Sequence, residues 1–330
     1  MRKRNRKLAL AVIVLLLLIG IGYSYIIKNP GAIGNIRGEK PGATVPTPVI
    51  TVTTPSITGT PETTPTVTVT SPTIKLAAFN LQVFGITKSG KPEVMGVLSK
   101  IIRNYDVIAV QEIRDSSQTA LPMLRDAVNS MGSPQYEYVV SERLGRTTSK
   151  EQYAYLYNTQ TMQLIGSPYT YPDTNDQFQR EPYVSGFKAK NGNFDFVLIT
   201  IHTDPDNATQ EINDLPMVVE DAMSKYKGEG DFIIMGDLNA DCSYFNENGQ
   251  SPLRSRDYYW VINNSIDTTT KSTDCTYDRI IITTPAKTDF TGEAGVFRFD
   301  TAYNLTYDST IAVSDHYPVY ASFWSNRDTD

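Results

Sequence analysis

The sequence predicts an α/β layered domain over 74–330, and three observations predict it. Short apolar runs of strand length recur along this stretch. The segments between them repeat apolar residues at helical spacing. Most of the runs stop at an acid, an amide or a histidine, and strand carboxyl ends are where open α/β sheets bind ligands.

Taken in order, the first run is IKLAAF at 74–79, ending at Asn80. Val94, Val97, Leu98, Ile101 and Tyr105 then share one helical face. DVIAV at 106–110 comes next and ends at Gln111-Glu112, and Leu121, Leu124, Val128 and Met131 predict a second helix. FDFVLITI at 194–201 ends at His202, with a third helix at Val218, Ala222, Met223 and Tyr226. DFIIM at 231–235 leads into Gly236-Asp237-Leu238-Asn239, and IAV at 311–313 reads as a strand leading into Ser314-Asp315-His316. One polar residue after a strand is commonly a turn or cap residue. Five such endings, which take in both histidines of the chain, describe a site. No short-period repeat is present, which excludes a solenoid.

The chain has 330 residues, two histidines, two cysteines and a net charge of -6. Two cysteines exclude a disulfide-dense scaffold and a four-cysteine zinc site. The charge is unevenly spread. Residues 1–73 hold 8 basic and 2 acidic residues, leaving 22 basic and 34 acidic residues in 74–330. An acidic body excludes nucleic-acid coating by net charge.

The N-terminal part reads as an address and a tether. RKRNRK at 2–7 precedes 20 uncharged residues from Leu8 to Ile27, enough to span about 30 Å at ~1.5 Å per residue. The flanking charge favours a cytoplasmic N-terminus. Residues 1–27 therefore read as a signal-anchor or a cleaved signal peptide, and both export the rest of the chain. Residues 28–73 are a Thr/Pro-rich stalk, extended and disordered, because proline blocks helix and interior strand. The domain over 74–330 is thus expected outside the cytoplasm, membrane-anchored or secreted.

The chemistry-bearing residues are carboxylates, amides and two imidazoles, with no phosphate loop and no nucleophile elbow. Oxygen ligands without sulfur suit Mg²⁺, Mn²⁺ or Ca²⁺. A hard cation beside a histidine pair suits phosphoester hydrolysis, with one imidazole activating water and the other protonating the leaving oxygen.

Several motifs carry a resemblance. FNLQVFG at 79–85, QEIRD at 111–115, SERLGR at 141–146, KEQYAYLY at 150–157, REP at 180–182, GDLNADCSY at 236–244, CTYDRI at 275–280 and SDHYPV at 314–319 occur in one order. In this the chain resembles the deoxyribonuclease I family, within the endonuclease/exonuclease/phosphatase superfamily, over about 74–325. The resemblance implies a four-layer sandwich of two packed mixed β-sheets flanked by helices. It implies endonucleolytic cleavage of DNA to 5′-phosphate ends with Mg²⁺ and Ca²⁺, by a chain read as a monomer. Carried over residue by residue, it pairs His202 with Glu151 and His316 with Asp278. It makes Glu112 and Asn80 metal ligands, with Asp237 and Asp315 completing the site, and has Asn239 donate to the phosphate. It sends Arg114 and Arg146 to the DNA groove and phosphates and Arg180 to a phosphate. It joins Cys242 to Cys275, a closure of about 3–4 kcal/mol. It suggests one calcium site at Asp267, Thr269 and Thr273, and a second at Asp173, Asp176, the Phe178 carbonyl and Glu181.

The chain departs from the family pattern at three places. Ser149 stands where the family has an aromatic residue, which removes a stacking contact with the minor groove. The loop 172–179 is short and lacks an extra disulfide. Lys271 falls inside the first calcium loop and is expected to weaken it. Two other readings stay open: a phosphomonoesterase or phospholipid phosphodiesterase on the same scaffold, and a non-catalytic surface binding module.

Overall fold

A computed structural model describes residues 72–330. The expected membrane segment at 1–27 and nearly all of the stalk at 28–73 lie outside the described residues. Among the described residues no helix is long and apolar enough to cross a membrane.

Among the described residues, twelve strands form two six-stranded sheets. They are β1 (Thr73–Phe84), β2 (Val107–Ile113), β3 (Tyr136–Val140), β4 (Gln152–Asn158), β5 (Met162–Thr170) and β6 (Tyr183–Ala189). The second half supplies β7 (Asp195–His202), β8 (Phe232–Asp237), β9 (Tyr258–Trp260), β10 (Asp278–Thr283), β11 (Phe290–Val296) and β12 (Val319–Trp324). The first sheet runs β11-β12-β1-β2-β4-β3, the second β5-β6-β7-β8-β10-β9. Only the central pairs, β1–β2 and β7–β8, are parallel. The helices are α1 (Ile86–Ser89), α2 (Pro92–Ile102), α3 (Ala120–Ser130), α4 (Ala208–Lys225), α5 (Phe299–Ala302) and α6 (Tyr307–Val313).

Alternation along the strands builds the layers. In β1, Ile74, Leu76 and Ala78 join the core between the sheets, while Ala77 and Phe79 join the core under the helices. In β8, Ile233 and Met235 face the other sheet, and Phe232 and Ile234 face α4. Helix α2 starts with Pro92 in its first turn, where no amide hydrogen is needed, and buries Val94, Met95, Leu98, Ile101 and Ile102 on the first sheet. Helix α4 buries Ile212, Leu215, Val218, Val219 and Ala222 on the second. The result is the four-layer sandwich of two mixed sheets between helices.

Several local expectations are corrected. Residues 311–313 end helix α6 rather than form a strand, because Thr306 caps that helix by accepting from the Ser309 amide at 3.3 Å; the strand comes later, at β12. The strands β1 and β2 run past Asn80 and Glu112 instead of stopping at them. Met131 and Met223, assigned to buried helix faces, are exposed. The antiparallel strands β3 to β6 and β9 to β11 are not evident from the apolar runs of the sequence.

Helix α3 is capped from a distance. Thr119, the residue before it, makes no side-chain cap. Asp115 does so instead, accepting from the amides of Thr119 at 2.7 Å, Ala120 at 2.8 Å and Ser117 at 2.9 Å. Burial alone would raise the Asp115 pKa, but these hydrogen bonds outweigh it and hold it at about 2 instead of 3.8. A depressed carboxylate stabilises the fold above its unfolded pKa and loses that contribution as pH falls through the folded value. We expect Asp115→Ala to cost about 1–2 kcal/mol in urea unfolding at neutral pH. The gap between variant and wild type should close between pH about 4 and about 2.

Candidate active site

Strand register assembles the centre of the site. In the second sheet His202 pairs with Asp237 across β7–β8, and Asp237 pairs with Asp278 across β8–β10. In the first sheet Asn80 pairs with Gln111 across β1–β2, with Glu112 next in chain. The register of β1 slips between Asn80 and Phe84, and that of β2 slips between Val110 and Ile113. Gln82, Val83 and Glu112 take positive φ of 46°, 52° and 60° at these irregularities. Bulges of this kind re-aim side chains at the edge of a site.

The two imidazoles are arranged alike. His202 Nδ1 lies 2.9 Å from Glu151 Oε2, and His316 Nδ1 lies 2.7 Å from Asp278 Oδ2. Their Nε2 atoms converge on one oxygen, Asp237 Oδ2, at 3.6 Å and 3.5 Å. Asn80 Nδ2 donates to the same oxygen at 2.9 Å and to Glu112 Oε1 at 3.1 Å. Glu112 Oε2 accepts from the Val83 amide at 2.8 Å, and Arg114 Nη2 sits 3.1 Å from it and 2.9 Å from Glu151 Oε1. Asp315 Oδ1 lies 3.9 Å from His316 Nε2. Asn239, at φ 47°, turns its amide nitrogen to Thr203, donating to the carbonyl at 3.1 Å and more weakly to Oγ1 at 3.4 Å.

Burial sets the electrostatics. It would lower the His202 pKa, but the Glu151 hydrogen bond and the Asp237 charge outweigh it and raise it. For His316 burial is likewise outweighed, by Asp278 and Asp237, and its pKa rises well above 6.5. Burial pulls Asp237 the other way, yet His316 and His202 bring its pKa below 3.8. Each imidazole thus keeps its Nδ1–H on a carboxylate and presents Nε2 to the same space.

Other predicted residues fall elsewhere. Arg180 is held mainly by backbone carbonyls, with its Nη1 3.6 Å from Glu151 Oε1. It is 9% exposed, with Nε and Nη2 donating to the His202 carbonyl at 3.0 and 2.8 Å, and Nη2 also to the Thr203 carbonyl at 2.9 Å. It holds the strand end that carries His202 from behind. Arg146 pairs with Asp176 at 2.8 Å. In the second calcium set Asp173 Oδ2 accepts from the Phe178 amide at 2.7 Å, and its buried Oδ1 has no partner; Glu181 lines the adjoining cleft beside Asp173. In the first set Asp267 Oδ1 accepts from the Thr269 amide at 2.9 Å, and Thr269 Oγ1 donates to the Thr273 carbonyl at 2.7 Å. Lys271 does not crowd these oxygens; its Nζ reaches Asp315 Oδ2 at 2.7 Å. Cys242 and Cys275 form a disulfide with Cα atoms 6.0 Å apart.

The sequence motifs do not reveal the residues that hold this frame. Lys88 Nζ donates to the carbonyls of Leu81, Gln82 and Val313 at 2.9, 2.6 and 3.0 Å, tying the bulged end of β1 to the end of α6. Burial lowers its pKa to about 8. The Ser314 hydroxyl donates to the Asn80 carbonyl at 2.7 Å and accepts from the His316 amide at 3.0 Å. Tyr153 Oη accepts from the His202 amide at 3.0 Å. Nothing local marks Lys88 in the sequence, since its partners are backbone carbonyls; Tyr153 lies within the KEQYAYLY motif.

The His316 proton should be visible by NMR. In chelator-treated protein the His316 ring is expected to titrate well above 6.5. Asp278→Asn should bring its midpoint down by at least one pH unit, since it removes the charge facing Nδ1. An unshifted midpoint would contradict the pairing.

Comparison with known proteins places the chain in a family. The Endonuclease/Exonuclease/phosphatase family profile matches residues 77–316. Deoxyribonuclease-1 of Bos taurus is 38% identical over 256 residues, covering 74% of this chain and 90% of that protein. Deoxyribonuclease gamma of Mus musculus is 39% identical over 266 residues, covering 77% and 85%. Among solved structures, an endonuclease/exonuclease/phosphatase family protein from Bacteroides thetaiotaomicron superposes with a TM-score of 0.52 at 17% identity, covering 77% of this chain and 98% of its own. A mannosyl-6-phosphatase from the same organism gives 0.52 at 16%, covering 76% and 99%. These distant structures share the fold, and the closer sequence relatives carry the assignment: the chain belongs to the endonuclease/exonuclease/phosphatase family, on its deoxyribonuclease branch.

Proposed function

We propose that this protein is an extracytoplasmic, divalent-metal-dependent endonuclease that hydrolyses phosphodiester bonds of double-stranded DNA to leave 5′-phosphate ends. That it is a hydrolase of phosphodiester bonds rests on its family and its deoxyribonuclease relatives. The single observation that carries the finer reading is the convergence of two carboxylate-backed imidazoles on Asp237.

In this reading the phosphate sits between the two Nε2 atoms. One imidazole takes a proton from the attacking water, and the other gives its proton to the leaving oxygen. Glu151 and Asp278 fix the ring orientation and offset the positive charge as it forms. Asp237 orients the water, and Asn239, giving up its 3.4 Å contact with Thr203 Oγ1, donates an amide hydrogen to a phosphoryl oxygen in the transition state. Arg114, about one-third exposed at the rim between Glu112 and Glu151, is placed to meet the DNA backbone.

The residues present fit a hard cation. Glu112, Asp237 and Asp315 offer carboxylate oxygens without sulfur, and Asn80 stands between Glu112 and Asp237, its Nδ2 donating to both while its Oδ1 accepts from the Gln82 amide. Glu112 and Asn80 would hold Mg²⁺ or Mn²⁺, which when bound neutralises phosphoryl oxygens. Cations also offset the repulsion between DNA and the acidic body. Ca²⁺ is assigned to Asp267, Thr269 and Thr273, and to Asp173, Asp176, the Phe178 carbonyl and Glu181. The disulfide supports an oxidising location outside the cytoplasm.

The full chain should nick supercoiled plasmid in Mg²⁺ and Ca²⁺, and a chelator should stop it. His202→Ala and His316→Ala should each lower the rate by about 10²–10⁴-fold. Folded wild-type protein that leaves the plasmid intact while cleaving phosphomonoesters or phospholipids would replace DNA as the substrate. Nicking that survives both substitutions would overturn the mechanism.

A further inference from the structure

A second group of carboxylates lies at the opposite end of β8 from Asp237. Six strand residues at ~3.3 Å each put the two ends about 20 Å apart. Asp231 stands immediately before β8, Asp289 immediately before β11, and Asp328 in the tail after β12. Carboxylate oxygens of these three lie within 4.8 Å of one another, and those of Glu229, Asp231 and Asp330 do so as well. Asp231 belongs to both triads.

Acidic clusters on surfaces are common, but this one has a buried centre. Asp231 is 1% exposed, and neither of its carboxylate oxygens has a hydrogen-bond partner. Asp289 is 2% exposed, with Oδ1 unpartnered. A buried carboxylate without donors is costly to charge. Among the described residues no lysine, arginine or histidine forms a salt bridge with any of the five acids. Burial first, and then the neighbouring acids, push the Asp231 pKa up to about 8. Arg327 in the same tail lies over the Trp324 ring at 4.0 Å.

We infer that Asp231, Asp289 and Asp328, with Glu229 and Asp330 beside them, form a structural divalent-cation site that takes Ca²⁺. Oxygens bound to one Ca²⁺ at ~2.4 Å lie no more than about 4.8 Å apart, and the two triads meet that limit. The donors are all carboxylate oxygens from separate segments, which suits the flexible, high-coordination shell of Ca²⁺ better than the strict octahedron of Mg²⁺. Such an ion links the two sheets at the end remote from the imidazoles, since β8 belongs to one and β11 and β12 to the other. It also pins the tail, where Asp328 Oδ2 already accepts from the Asp195 amide at 3.1 Å. The inference does not depend on the nuclease reading.

The test compares thermal unfolding of full-length wild type and Asp231→Asn, each in chelator and in millimolar Ca²⁺. In chelator the variant should melt at or above wild type, because one repelling carboxylate is gone. In Ca²⁺ wild type should gain several degrees more than the variant, so that the order reverses. Equilibrium dialysis with Ca²⁺ should give one ion fewer per chain for the variant. Should Asp231→Asn fail to fold, Asp328→Asn, half-buried in the tail, supplies the same two readouts. Equal Ca²⁺-induced gains with equal stoichiometry would overturn the site.

Discussion

The site depends on one buried carboxylate oxygen. Asp237 is 2% exposed, and its Oδ2 faces two imidazoles and the Asn80 amide at once. A charge so buried persists only when it is fully surrounded by donors or opposite charge. Each partner therefore has to be held in turn. Glu151 and Asp278 hold the imidazoles, Glu112 accepts from Asn80, and Arg114 spans Glu112 and Glu151. Removing one member leaves another buried charge without its counterpart.

The fold meets this demand by joining two sheets at their parallel centres. The β7–β8–β10 register sets three titratable groups in a row, and the β1–β2 pair brings the Glu112 carboxylate and the Asn80 amide from the other sheet. Regular strands alone would not aim Glu112 and Asn80 at Asp237. The bulges at 80–84 and 110–113 do so at the cost of positive φ at Gln82, Val83 and Glu112. Lys88 stabilises that irregular segment by binding three carbonyls that no strand partner satisfies. Arg180 plays the equivalent part at the end of β7, donating to the His202 and Thr203 carbonyls.

The features legible in the sequence are of one physical kind. The runs at 74–79, 106–110, 194–201 and 231–235 are strands because each is apolar enough to be buried on both faces. The helices at α2 and α3 are legible from the spacing of Leu98, Ile101, Leu121 and Leu124. Strands β4, β6 and β10 escape notice because tyrosine and glutamine in β4, serine, glycine and lysine in β6, and aspartate and arginine in β10 interrupt or shorten their apolar pattern, and packing between sheets overrides that composition. The apolar run at 311–313 misleads, since a cap at Thr306 makes a helix of the same residues.

The sequence by itself determined the two sides of the chemistry: an apolar body of layered strands, and the acids, amides and histidines placed at or near the ends of four of them. Family motifs added which carboxylate belongs to which imidazole. Only the tertiary structure decided how these groups meet, because distances between residues far apart in the chain depend on sheet register and on bulges that no local pattern encodes. It also decided that Arg180 supports a strand end, that Lys271 turns to Asp315, and that three aspartates from separate segments share one buried corner. Pairing of this kind is a property of packed segments, so it emerges only when the two sheets close.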